Sequence, residues 1–306
     1  MTKQLLLKKK LRNEATMIQA IHINSTVPYT MKNLGKAYKI DDFELLTTVL
    51  SALMWRKLNG PIKLFTDEIG LEYYTSLNIC DLWDAGIDTQ VLESVSPNLN
   101  QEIFWAAAKI FALQHQQAPV AMIDTDLIVW KNISNILSKQ QFAIIHRETI
   151  NEEYYLPKHL LKKAENYKFD DAWDWTELPC NTSFAYFSNT QFKDYYTKCA
   201  IEFMMDNHEY PCEMVSQMVF AEQRIVSMCA KKMNIPIYHF LDDPFQADNS
   251  IFTHLWGAKQ IARDNNHQRK LLCAALLNKI EELFPEYYEK TIRMLILCKN
   301  DAHVVV

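Results

Sequence analysis

Two aspartates one residue apart, Asp124 and Asp126, follow the apolar run Val120 to Ile123 and precede a second run, Leu127 to Trp130. A short apolar run of this kind suits a buried strand. Carboxylates at its carboxyl end project together into the crevice beyond it. Ionised carboxylates beside a core are costly unless they are paired or bound to metal. Oxygen donors suit hard divalent cations, and Mg²⁺ is commonly held by one or two carboxylates together with substrate phosphates. The pair therefore points to a site for Mn²⁺ or Mg²⁺ that handles a phosphorylated ligand. The plainer alternative is a solvated turn ending a strand.

Further residues of the right types are spread along the chain: Lys109, Glu222-Gln223, and the late group His254, Gly257 and Lys259. Singly, each has an ordinary reading. Lys109 and Glu222-Gln223 fit the solvated faces of amphipathic helices, and His254 fits an isolated surface or core histidine. Their order along the chain carries the inference. There are five glycines, Gly35, Gly60, Gly70, Gly86 and Gly257. Neither a P-loop nor a GxGxxG turn can be built from them, so a bound phosphate must be met by metal or by Lys and Arg.

The elements that must position these groups read as alternating strands and helices. Ala15 to Asn24 is a first strand. Asp41-Asp42 caps a helix whose apolar face is Leu46, Val49, Leu50 and Leu53, the i, i+3, i+4, i+7 pattern. Asn59-Gly60-Pro61 stops that helix, Ile62 to Phe65 is a strand, and a helix runs from Gly70 to Leu77. A short strand falls within Asp88 to Ser96, and Asn100 to Gln116 reads as helix up to Pro119. Strand and helix in alternation imply a mainly parallel sheet with crossover helices, whose ligands bind beyond the strands' carboxyl ends. Asn24, Asp67 and the Asp124–Asp126 pair all fall there.

Later strands are expected at Gln141 to His146, Asn181 to Phe187 and Ile235 to Tyr238, with helices at Gln191 to Asn207 and Met214 to Met233. Asn151 to Pro179 is rich in aromatics and acids. Trp173 and Trp175, with Asp170, Asp171 and Asp174, read either as an acceptor-binding loop or as a surface excursion whose tryptophans tuck into the core. From Arg263 to Cys298 the chain reads as helical, with Leu271, Leu272, Ala275 and Leu276 as the apolar stripe. The expected organisation is one α/β unit over residues 1–260, with a helical extension over 261–306 packed on it.

Composition narrows the class. Hydrophobic residues make up 49% of 306 residues, which supports a large core and excludes wholesale disorder. A net charge of −5 gives no general pull toward nucleic acid. The local basic cluster of Lys8, Lys9, Lys10 and Arg12 reads as a solvated tail, with peripheral membrane contact as its alternative. Seven cysteines without a CxxC argue for reduced thiols in a cytosolic protein. No run is long enough to span a membrane, and Leu5 to Leu7 is too short for a signal peptide.

Strand-borne Asp124-Thr125-Asp126, preceded by Lys109 on a helix and followed by His254-x-x-Gly257-x-Lys259, resembles the GT-A-fold nucleotide-sugar glycosyltransferases, in particular the galactosyltransferase- and glycogenin-like group. The chain is also similar to bacterial proteins of largely uncharacterised function. The resemblance covers roughly residues 15–260. It implies a Rossmann-type mixed, mainly parallel sheet and a metal-dependent transfer of sugar from a nucleotide-diphosphate sugar, a UDP-sugar first, to a hydroxyl acceptor. Bacterial surface polysaccharide synthesis is one setting for such an activity. By the same resemblance Asp124, Asp126 and His254 hold Mn²⁺ or Mg²⁺. Lys109, Gly257 and Lys259 meet donor sugar or phosphate, and Asn24 and Asp67 meet the nucleoside. Glu222, Gln223 and Asn181 lie at the reacting sugar. The family usually carries one more residue before its lysine and then Pro-Trp, and a small pair after its asparagine; this chain has Gln260 after Lys259 and Thr182-Ser183 after Asn181. Two readings compete. One is a haloacid-dehalogenase-like phosphatase, against which stand Leu127-Ile128 and only a partial acidic echo at residues 243–248. The other is a non-catalytic nucleotide- or sugar-binding module.

Overall fold

The computed structural model describes residues 17–207, 209–210, 214–243 and 250–300. The basic cluster near the amino terminus and residues 244–248 of the acidic stretch lie outside the described residues. The described residues form a seven-stranded sheet in the order β3-β2-β1-β4-β7-β6-β8. Its strands are β1 Ala20–Asn24, β2 Ile62–Thr66, β3 Ile87–Asp88, β4 Val120–Ile123, β6 Phe142–Ile144, β7 Phe184–Phe187 and β8 Ile237–His239. All run one way except β7, which is antiparallel to both β4 and β6. The sheet is thus mixed and mainly parallel, as expected. A separate two-stranded sheet joins β5, Leu127–Val129, to β9, Phe252–His254, antiparallel.

Helices cover both faces, and the apolar run of β4 has this cause. Ala121 and Ile123 join the core formed with helix Asp42–Leu58, while Val120 and Met122 join the core on the opposite face. A strand buried on both faces needs no alternation. Helix Asp42–Leu58 is itself buried nearly all round, from Phe43 to Trp55, because it lies between the sheet and the carboxyl-terminal helices Asn266–Leu283 and Pro285–Asn300. Leu276, Ile280, Phe284 and Met294 belong to the same core as Leu46 and Leu50. The buried stripe of helix Asn266–Leu283 is Leu276 and Ile280; of the residues expected inside, Ala275 is exposed and Leu271 is 52% exposed. Leu271 and Leu272 are adjacent, about 100° apart around the helix, and Leu272 is the one turned inward against the core.

Three other elements differ from expectation. The short strand expected within Asp88 to Ser96 is Ile87–Asp88, and Gln90–Glu93 is helical. Helix begins at Ala107 rather than Asn100. The Asn100 side chain accepts the amides of Glu102 and Ile103, a local turn that competes with helix. The expected helix Met214 to Met233 is broken: Met214–Val219 and Ile225–Lys232 flank a π-helical turn, Phe220–Arg224. Such a turn is frequently found at functional sites, and this one carries Glu222 and Gln223.

Candidate active site

Asp124 and Asp126 leave β4 at its carboxyl end. The Asp124 amide donates to the Ser183 carbonyl at 2.8 Å, which pins the turn to the chain entering β7. Asp126 leads into β5, whose register with β9 sets Leu127 opposite His254. The Leu255 amide completes the clasp on the Asp126 carbonyl at 3.2 Å. This pairing delivers the distant histidine. His254 Nε2 lies 3.4 Å from Asp126 Oδ2. One ligand atom from each of Asp124, Asp126 and His254 falls within 4.8 Å of the others. Ligands about 2.1 Å from one ion stand at most about 4 Å apart, so small side-chain adjustments would close the three on a cation. Two carboxylate oxygens and an imidazole nitrogen suit a divalent ion such as Mn²⁺.

Each aspartate also has its own lysine. Lys109 Nζ lies 2.7 Å from Asp124 Oδ1 and contacts Glu222 Oε1 as well. Burial alone would lower the Lys109 pKa, but Asp124 and Glu222 more than reverse this and keep it charged. Burial pushes the Asp124 carboxyl up, and Lys109 offsets that only in part. Asp126 goes the other way. Burial would raise it, yet the His254 hydrogen bond and Lys259 hold it well below the usual carboxylate range. Lys259 Nζ is 2.8 Å from Asp126 Oδ2 and 3.4 Å from Glu44 Oε1. The pairs continue through Arg263 to Asp41 and Glu44, and through Arg269 to Asp41 and Asp42. Along these contacts six carboxylates, Glu222, Asp124, Asp126, Glu44, Asp41 and Asp42, face four cations, Lys109, Lys259, Arg263 and Arg269.

The π-helical turn faces two ways. Glu222 is buried, and Thr182 Oγ1 donates to its Oε1 at 2.8 Å. Tyr155 OH donates to Gln223 Oε1 at 2.5 Å, so the aromatic-rich loop does reach this polar row, through a tyrosine. Asn181 donates to Glu148 Oε1 at 2.9 Å, with His146 Nε2 at 3.7 Å from the same oxygen. Glu148, Tyr155 and Glu44 have no signal in the sequence, where Thr182 stands out only as a departure from the family's small pair. Thr182 and Glu148 stand where neighbouring strand ends meet, which only the strand order reveals. Glu44 in the first turn of a helix reads as an ordinary partner for the helix dipole.

The remaining candidates are placed as follows. Asp67 caps helix Glu68–Ser76 by accepting the Gly70 amide at 2.9 Å, and it also accepts the Thr26 amide at 2.6 Å and hydroxyl at 2.9 Å. Asn24 Oδ1 accepts from Tyr38 OH at 3.0 Å, while its Nδ2 is buried with no protein partner. Gly257 lies in the first turn of helix Trp256–Asp264, and a Cβ there would meet nothing within 4 Å. Of the two readings of Trp173 and Trp175, the core reading holds. Trp173 is buried against Phe169 and Phe220, and Trp175 stacks on Phe220. Asp170 is tied to Lys232 and Tyr195, and Asp174 to Thr176. The acceptor loop proposed for these side chains is therefore corrected to a packed surface excursion, with Asp171 its exposed member.

Residues 16–294 match the model of DUF6734, a family of unknown function. The chain belongs to the DUF6734 family. No curated protein matches it. Several solved glycosyltransferases are similar to this DUF6734 member. Mouse xyloside xylosyltransferase 1, in its apo form, is 10% identical over 74% of this chain and 85% of its own, with a TM-score of 0.37. The galactosyltransferase LgtC, in complex with donor and acceptor sugar analogs, is 9% identical over 89% of this chain and 100% of its own, at 0.38. Apo-form GlyE of Streptococcus pneumoniae TIGR4 is 12% identical over 86% of this chain and 63% of its own, at 0.36. Among the described residues no helix is long and apolar enough to cross a membrane.

Proposed function

We propose that this DUF6734 protein is a metal-dependent glycosyltransferase. It moves a sugar from a nucleotide-diphosphate sugar, a UDP-sugar first, to a hydroxyl acceptor. The observation that carries this reading is the meeting of Asp124, Asp126 and His254, with Lys109 and Lys259 each against one of the two carboxylates. A divalent cation bound there supplies Lewis-acid stabilisation of a leaving diphosphate. Lys259, the more exposed lysine, adds positive charge where the leaving group becomes more negative. Lys109 holds Asp124 and Glu222 in fixed positions. The Glu222 carboxylate, oriented by Lys109 and Thr182, stabilises positive charge that develops at the anomeric carbon. Gln223 and Asn181 border the sugar, and Gly257 the phosphate. The orphaned Asn24 Nδ2, with Asp67 beside it, serves the nucleoside end. Residues 1–260 are the catalytic unit and 261–306 its extension, whose helices Asn266–Leu283 and Pro285–Asn300 pack on it, and the setting is the cytosol, with surface polysaccharide synthesis as the biological role.

Incubation with a panel of UDP- and other nucleotide-sugars tests this. Sugar release or transfer requires Mn²⁺, stops in EDTA, returns on adding Mn²⁺ back, and is abolished in Asp126→Ala. Turnover that survives full chelation refutes the metal assignment. Diphosphate binding without turnover of any donor points instead to a binding module.

A further inference from the structure

Lys259 touches the carboxylate oxygen that a metal would use. Its Nζ is 2.8 Å from Asp126 Oδ2, the same oxygen that faces His254 Nε2 at 3.4 Å. An ion within ligand distance of that oxygen, about 2.1 Å, sits within about 5 Å of the lysine ammonium. There the two positive charges repel strongly in a partly desolvated site. Lys259 also has a second station, Glu44 Oε1 at 3.4 Å. The helix that carries it is clamped to the start of helix Asp42–Leu58 by Arg263 on Asp41 and Glu44, and the next helix by Arg269 on Asp41 and Asp42. The backbone is thus anchored while the lysine head has alternative acids within reach. Lys109 is different: it bridges the half-buried Asp124 and the buried Glu222, acids from two elements, and is only 13% exposed, against 29% for Lys259.

Resting on the metal reading above, we propose that Lys259 is a charge gate which makes cation and diphosphate bind together. While Lys259 stays on Asp126, a lone divalent ion meets a carboxylate already neutralised and an ammonium close by. A diphosphate draws the ammonium onto its own oxygens and adds negative charge beside the ion. Each ligand therefore raises the affinity for the other by the same factor. The positional switch is the movement of one lysine head, with no bond made or broken.

The test is Mn²⁺ binding, read from the loss of the free-ion electron paramagnetic resonance signal, with and without inorganic pyrophosphate, which needs no base pocket. Wild type is expected to bind Mn²⁺ at least tenfold more weakly alone than with pyrophosphate, after correction for Mn²⁺–pyrophosphate association. Lys259→Met is expected to bind Mn²⁺ alone at least tenfold more tightly than wild type and to lose most of the pyrophosphate enhancement. Lys259→Arg, which keeps the charge, should behave as wild type. Equal binding of Mn²⁺ alone by wild type and Lys259→Met overturns the gate and leaves the metal site standing. No protein-bound Mn²⁺ under any condition, or binding that persists in Asp126→Ala, overturns the metal reading and the gate with it.

Discussion

The strand ends at β1 and β2 and those at β4 and β9 carry similar polar residues put to different use. At β1 and β2 the side chains are largely engaged by the fold. His22 lies buried between Ser51 and Trp83, Asp67 caps a helix and holds Thr26, and Asn24 holds Tyr38. At β4 and β9 Lys109 fixes Asp124, while Asp126 is matched to a lysine and a histidine whose contacts a ligand can exchange. The lesson is that a polar residue at a strand's carboxyl end is a candidate for chemistry only in so far as the fold leaves its hydrogen bonds available.

The largest effect expected from this contrast lies within the second region. Lys109→Met leaves the half-buried Asp124 and the buried Glu222 as neighbouring acids without their cation and should cost about 3–5 kcal/mol of stability. Lys259→Met removes a more exposed lysine and leaves the buried Asp126 with His254, and should cost less than Lys109→Met. Urea denaturation measures both, and equal losses would erase the distinction between a fixed and a movable lysine.

The next effect belongs to the first region. Desolvation drives the His22 pKa down to about 3 despite the attraction of Asp126. Trp83 Nε1–H donates to Nδ1, so a proton there would oppose that donor. The native state therefore binds fewer protons than the unfolded chain between its pKa and the unperturbed value near 6.5. Stability from this residue is complete above about pH 6.5 and falls on acidification, by roughly 3 kcal/mol between pH 6.5 and 4. His22→Gln should flatten that slope in denaturation series across this range. An unchanged slope would mean that His22 takes up its proton in the folded protein.

The smallest effect sharpens the boundary between the regions. Asp67→Ala removes a helix cap and should cost about 1–2 kcal/mol. It should leave the affinity for Mn²⁺–pyrophosphate unchanged, as measured by calorimetry. A large loss of that affinity would move Asp67 into the second region.

The legible part of the fold was what periodicity and turn chemistry encode. The buried helix Asp42–Leu58, the strand Val120–Ile123 and the parallel frame follow from the order of apolar runs and breakers. Asp124, Asp126 and His254 were legible as candidates from their types and order, while their meeting depends on the register of β5 with β9, which no local pattern states. The π-helical turn at Phe220–Arg224 leaves the helical composition intact, so its break was invisible. Asn100 hid a turn because its side chain, rather than a proline or glycine, ends the pattern. Trp173 and Trp175 kept both readings open because an aromatic run suits a sugar platform and a core equally until its packing partners are known.

The central claim is that one divalent ion joins residues from β4 and β9. Anomalous diffraction at the manganese edge, from crystals of the protein grown with Mn²⁺ and UDP, tests it most directly. The account predicts a single strong peak about 2.1–2.3 Å from Asp124, Asp126 and His254 together. A peak bound elsewhere, or Lys259 still seated on Asp126 with no peak at the triad, would contradict it.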